Sequence, residues 1–202
     1  MYPYEESPAA DKTVLVIGAA GLDIVGRTIE IPEPKTSIPA KVRPSFGGVS
    51  RNVAENLAHL GLNVQLITAV GRDQFGWHLL EHAASAGVGI DFSIASEKRA
   101  TASYLAVLDE TGELNFAMYD MRVLETITPQ YIKQNANLFA EAGLIFVDAN
   151  LDEKTLKAVF TQARKAKIPV WADAASHKVA PRLVPFLDQI YLLNANAHEA
   201  SV

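Results

Sequence analysis

The chain has 202 residues, 49% hydrophobic and 20% charged, with a net charge of −5 and no cysteine. That length holds one domain with a sizeable core. The dispersed basic residues argue against nucleic acid and anionic membrane as partners. The lack of thiols excludes disulfides, thiolate catalysis and cysteine zinc sites, and no apolar run approaches the ~20 residues of a membrane span.

Residues 1–12 carry Pro3, Pro8, Glu5, Glu6 and Asp11, without the basic and apolar regions of a signal peptide. They read as a disordered leader on a cytoplasmic protein. Thr13 to Gly18 (TVLVIG) is a continuous apolar run, suited to a strand buried on both faces of a parallel sheet. Gly18-Ala-Ala-Gly21 follows, but a dinucleotide loop needs a third glycine and a helix directly behind it. The next residues, Leu22 to Pro32, are β-branched and end at prolines, so they read as extended chain. Asp23, just past the strand end, is placed either to hold a hydroxyl or to close an Asx turn.

Residues 35–44 form a proline-punctuated loop leading into a second exposed strand. Then comes Ser45 to Gly61 (SFGGVSRNVAENLAHLG), where a glycine pair ends a β-like segment and Ser50 is placed to cap a helix. Val49, Val53, Leu57 and Leu60 recur at helical spacing. Gly47 and Gly48 let the backbone approach a ligand, and Asn52 offers it a donor and an acceptor.

Val64 to Val70 (VQLITAV) predicts another buried strand, and a helix follows from about Gln74 to Ala84. Its His78-Leu-Leu-Glu-His82 fits a zinc-peptidase pattern, but no third ligand stands out on a later helix. Residues 102–108 and 113–119 alternate around Asp109-Glu-Thr-Gly112, a hairpin turn. With the extended pieces at 22–31 and 40–45 they predict a small separate sheet. It would carry Tyr104, Ala106 and Leu108 on one face and Ser103, Leu105 and Val107 on the other.

The buried-strand and helix alternation of an α/β sheet then resumes. Thr128-Pro129 opens a helix, 143–148 is a strand, and Asp152 caps a helix to about Lys167. Strands are expected at 169–172 and 188–193, with a short helical piece at 176–183 between them. A further helix should begin near Val202.

This order of motifs resembles the ribokinase-like (phosphofructokinase-B type) family of carbohydrate and nucleoside kinases. The segments that carry the likeness are VLVIGAAGLDIVG, FGGVSRNVAENLAHLG, AVGRDQFG with Gly71, Asp73 and Gly76, the hairpin, and Asn196-Ala-His-Glu199. Together they cover residues 13–202. Within the family, GGVSRNVAENLAHLG, TASYLAVLDETGELNFAMYDM and FVDANLDEKTL look most like the pseudouridine kinases. Two departures from that subgroup are Asp173-Ala-Ala-Ser176, where proline tends to follow the aspartate, and Ala195 before Asn196.

The resemblance implies a Rossmann-type three-layer α/β sandwich over 13–202, with a β-sheet lid from strands near 22–45 and 101–119. It implies transfer of the γ-phosphoryl of ATP, with Mg2+, to the 5′-hydroxyl of a nucleoside, pseudouridine first. Other sugar or purine-nucleoside kinases, or a substrate-binding remnant without catalysis, remain alternatives. Asp23, Gly47, Gly48, Asn52, Ser103 and Tyr104 would bind substrate, and Asn196 and Glu199 would serve metal and phosphate. The lid sheet would join two copies into a homodimer. The family's catalytic Gly-Ala-Gly-Asp turn has no counterpart, since no Gly-Asp dipeptide occurs in the chain. The resemblance therefore puts the base beyond Val202, and residues 1–202 alone are expected to be inactive.

Overall fold

The structure is a computed structural model that describes residues 12–31 and 35–201. The expected leader lies outside the described residues except for Lys12. In chain order the first half runs β1 (Thr13–Ile17), β2 (Gly21–Thr28), β3 (Ala40–Gly47), α1 (Val49–His59), β4 (Val64–Ile67), β5 (Ala69–Gly71) and α2 (Gln74–Ser85). Then come β6 (Val88–Gly89), β7 (Ile94–Ser96), β8 (Ser103–Leu108) and β9 (Leu114–Asp120). The second half runs α3 (Pro129–Gln134), α4 (Ala136–Glu141), β10 (Ala142–Asp148), α5 (Glu153–Ala166), β11 (Val170–Asp173) and β12 (Leu192–Asn194).

Six parallel strands form the central sheet in the order β12-β11-β10-β1-β4-β6. Strand residues alternate between faces, so β1 and β10 bury apolar side chains on both sides. Leu15, Ile17, Ile145 and Val147 meet Ile132, Phe139, Leu156 and Phe160 of α3, α4 and α5. Val14, Val16 and Phe146 meet Ala54 and Ala83 of α1 and α2 on the opposite face. This is the ribokinase-like three-layer architecture the resemblance implied. No helix among the described residues is long and apolar enough to cross a membrane.

A second sheet, β3-β2-β8-β9, stands apart from the first. It is the expected lid, and Asp109 Oδ1 closes its hairpin by accepting from the backbone N–H groups of Thr111, Gly112 and Glu113. Asp73 anchors its root. One carboxylate oxygen accepts from Gly76 N at 2.9 Å to cap α2, and the other accepts from Thr101 N at 2.8 Å, two residues before β8. Burial works against the Asp73 charge, but the bonds from Thr101 and Gly76 prevail and hold its carboxyl below the ordinary range.

Several boundaries differ from expectation. VQLITAV is two strands in two sheets, because the chain turns at Thr68, whose carbonyl accepts from Ile94 N to start the β5–β7 pair. The piece expected at 176–183 is a 3-10 helix over Ala180–Gln189, with Pro185 inside it. It consumes Asp188 and Gln189, so the last strand shrinks to β12. Ser50 is not a cap. The N-cap of α1 is Gly48, without a side-chain bond, and the Ser50 hydroxyl is drawn inward to a buried acceptor described below. Leu60 does not join the apolar face of α1 but is 78% exposed, one residue past the helix end.

Candidate functional site

The direction of crossover reverses at β1. The strands β4 and β6 lie on one side of it, and β10, β11 and β12 lie on the other. In an open parallel sheet such a reversal leaves a crevice at the carboxyl ends of the two central strands. A cleft of about 790 Å3 opens there, roofed by the lid sheet. Its floor includes Ala19 after β1 and Asn150 after β10. Gly48, Val49 and Asn52 come from the start of α1, and Ser176, Lys178 and Arg182 stand across from them.

The lid contributes one rung. Register places Ser45, Asp23, Tyr104 and Tyr119 side by side across β3, β2, β8 and β9, and three of the four, Asp23, Tyr104 and Tyr119, line the cleft. A carboxylate beside two aromatic rings suits a ligand with hydroxyls at one end and a flat apolar body. Asp23 is half-buried. Desolvation raises its carboxyl above the ordinary range, and the Arg51 charge pulls it partly back.

The glycine pair serves the site through the chain's own packing. A Cβ on Gly47 would sit 2.0 Å from Asp23 Oδ2, so this residue makes the space the carboxylate occupies. Gly48 has φ +98 and a Cβ there would meet Ala19 O at 2.5 Å, so it lets α1 start hard against the loop after β1.

Of the residues singled out in the sequence, Asp23, Gly48, Asn52 and Tyr104 converge on the cleft and Gly47 backs it. Ser103 does not line it, although Asp120, its partner across β8 and β9, does. Asn196 and Glu199 do not line the cleft either. They hold each other. Asn196 N donates to Glu199 Oε2 and Glu199 N donates to Asn196 Oδ1, both at 2.9 Å, in a reciprocal capping box. His82 of the zinc-like pattern turns its Nδ1 to the Arg51–Glu55 pair, 2.8 Å from Arg51 NH2 and 3.1 Å from Glu55 Oε1. The described residues contain no group of three or more His, Asp or Glu arranged for a metal ion.

Two features were not read from the sequence. Asp120, at the end of β9, is bound by its neighbour Arg122, whose hydrogen bonds hold its carboxyl down to about 2. Asp148 is fully buried at the end of β10 and accepts from Ala19 N at 2.7 Å, Ser50 Oγ at 2.5 Å and Asn150 N at 2.9 Å. It ties together the ends of β1 and β10 and the start of α1, the three segments that form the cleft floor. Burial raises its carboxyl, against the hydrogen bonds from Ser50, Ala19 and Asn150. The signal was available, since an aspartate closing an apolar strand (GLIFVD) must find donors.

Comparison with known proteins gives these observations a family. The pfkB family carbohydrate kinase profile matches residues 11–202. The chain belongs to the pfkB family of carbohydrate kinases. Pseudouridine kinase of Escherichia coli K12 is 36% identical over 187 residues, covering 93% of this chain and 59% of that protein. A carbohydrate kinase from Agrobacterium tumefaciens superposes with a TM-score of 0.85 at 34% identity, over 94% of this chain and 62% of that one. Arabidopsis thaliana ribokinase, solved with ribose and ATP, superposes with a TM-score of 0.75 at 19% identity, over 94% of this chain and 62% of that one, which speaks for the fold. The chain thus spans about 60% of the length of these pfkB relatives.

Proposed function

We propose that this chain carries the acceptor side of a nucleoside kinase. The intact protein would move the γ-phosphoryl of ATP to the 5′-hydroxyl of a ribosyl nucleoside, pseudouridine first. The observation that carries this is that the Asp23–Tyr104–Tyr119 rung and Asn52 line one cleft at the switch point of the sheet. Asp23 would accept from ribose hydroxyls, Asn52 would bond a neighbouring oxygen, and the lid would exclude water from the transfer. The likeness to a pseudouridine kinase supports the choice of nucleoside.

Bound Mg2+–ATP supplies the phosphoryl group and neutralises its charge. Asn196 and Glu199 would hold it, since the capping box engages only one of the two carboxylate oxygens of Glu199. The family likeness would place the base that deprotonates the 5′-hydroxyl in a Gly-Ala-Gly-Asp turn, and residues 1–202 hold no Gly-Asp dipeptide. In a competition assay, pseudouridine should displace a bound reporter nucleoside at lower concentration than uridine or ribose. Equal displacement by all three would return the assignment to a generic sugar kinase.

The lid's outer face supports a second copy of the chain as partner. Its rungs are Pro44–Ile24–Leu105–Met118 and Val42–Gly26–Val107–Phe116, and Val42, Phe116 and Met118 are more than half exposed. A contiguous apolar sheet face of this kind is costly to leave in water.

A further inference from the structure

Arg51 is 6% exposed, yet it follows directly on the cleft wall. Its NH2 pairs with Glu55 one helical turn on and lies 2.8 Å from His82 Nδ1 of α2. Glu55 and His82 account for one end of the guanidinium. The other end does something an ion pair does not require. NH1 donates to Phe46 O at 3.1 Å, at the root of lid strand β3, and to Asn52 Oδ1 at 3.0 Å. The Nε has no partner among the described residues, so the group is fixed by its fork rather than by full satisfaction of its donors.

A guanidinium has five donors and no acceptor, so the Asn52 atom facing it must be the carbonyl oxygen. The Nδ2 hydrogens are therefore turned away from Arg51, on a residue that is exposed and lines the cleft. We propose that Arg51 is a positioning residue that locks the Asn52 amide as a donor toward the cleft. An ionised Asp23 accepts and the Asn52 amide donates, and a pair of adjacent hydroxyls satisfies both. A single carbonyl or carboxylate ligand does not. The planar fork reaches Phe46 O and Asn52 at one end and Glu55 at the other, which a lysine ammonium cannot reproduce.

This inference rests on the nucleoside reading, and two measurements separate the fates of the two. In the unliganded chain, the Asn52 side-chain amide should give a single, well-dispersed pair of proton resonances by NMR. In Arg51→Lys, which keeps the charge beside Glu55 and the fold by circular dichroism, that pair should collapse toward the position of a freely rotating amide. An Asn52 amide already averaged in the unmodified chain, or unmoved in Arg51→Lys, overturns the proposal. Titration with pseudouridine then measures coupling. Asn52→Ala should weaken the Kd about tenfold in the unmodified background and less than about threefold in Arg51→Lys. Equal losses in both backgrounds would make Arg51 merely structural and overturn the proposal. If the unmodified chain binds neither pseudouridine nor ribose, the substrate reading fails while the amide resonances still decide the role of Arg51.

Discussion

The two large sheets are built from similar β-branched and aromatic strands, but they are finished differently. Val16, Ile17, Ile145 and Phe146 of the central sheet are fully buried between helices. In the lid, Leu114, Phe116, Met118 and Tyr119 are all more than half exposed. The central sheet spends its side chains on its own stability. The lid holds one face toward the cleft and one face outward, and we propose that a ligand completes it on one side and a second copy on the other.

Two aspartates state the same contrast at single-residue scale. Both sit at strand positions beside the cleft, and burial raises the carboxyl of both. Asp148 has its hydrogen bonds from the fold itself. Asp23 lines the cleft, with a glycine clearing its space and a guanidinium charge nearby. Raised folded-state values mean that the proton binds the fold more tightly than the unfolded chain. Their contribution to stability is therefore fully present below the ordinary carboxyl range and is lost as pH rises through the folded value.

The contrast can be broken at several points. The largest effect should come from Asp148→Ala, which takes their acceptor from Ala19 N, Ser50 Oγ and Asn150 N. At about 1–3 kcal/mol per unsatisfied group, offset by relief of a buried charge, a loss of about 3 kcal/mol is expected from the midpoint of urea unfolding. A midpoint within error of the parent would show that the floor does not depend on this carboxylate. Next, aspartates at Leu105 and Val107 should turn a dimer into a monomer by light scattering while leaving the melt of the central domain in place. A dimer that survives them would move the interface off the lid. Gly47→Ala forces Asp23 to shift without touching the core, so pseudouridine binding should weaken about tenfold while stability changes little, because the crowded atom ends a movable side chain. The smallest effect is a gain. Asp23→Asn should melt slightly above the parent at pH 7, and the gap should close as pH falls below about 4, where the parent's carboxyl is also neutral.

Much of this was legible in the chain. The buried strands TVLVIG and GLIFVD, the Thr128 and Asp152 caps, and the Asp109 hairpin are local signals, and local chemistry sustains them in the structure. In two of the misreadings a distant partner decides. Ser50 looks like a cap until Asp148, 98 positions away, claims its hydroxyl. VQLITAV looks like one strand until Ile94 pulls the carbonyl of Thr68 aside. The convergence of Asp23, Gly48, Asn52 and Tyr104 was accessible through family likeness. The Arg51 fork was not, since nothing in the spacing of SRNVAENL says that a buried cation will face its own neighbour's amide.

The central claim is that the lid cleft is held open for a hydroxylated ligand by Asp23. Calorimetric titration of pseudouridine into the parent chain and into Asp23→Asn, at pH 7 and with melts recorded on the same samples, tests it directly. The account predicts that this substitution costs at least about 30-fold in affinity, the scale of a charge-assisted hydrogen bond, while the protein melts no lower than its parent. Unchanged affinity in a folded Asp23→Asn protein would contradict it.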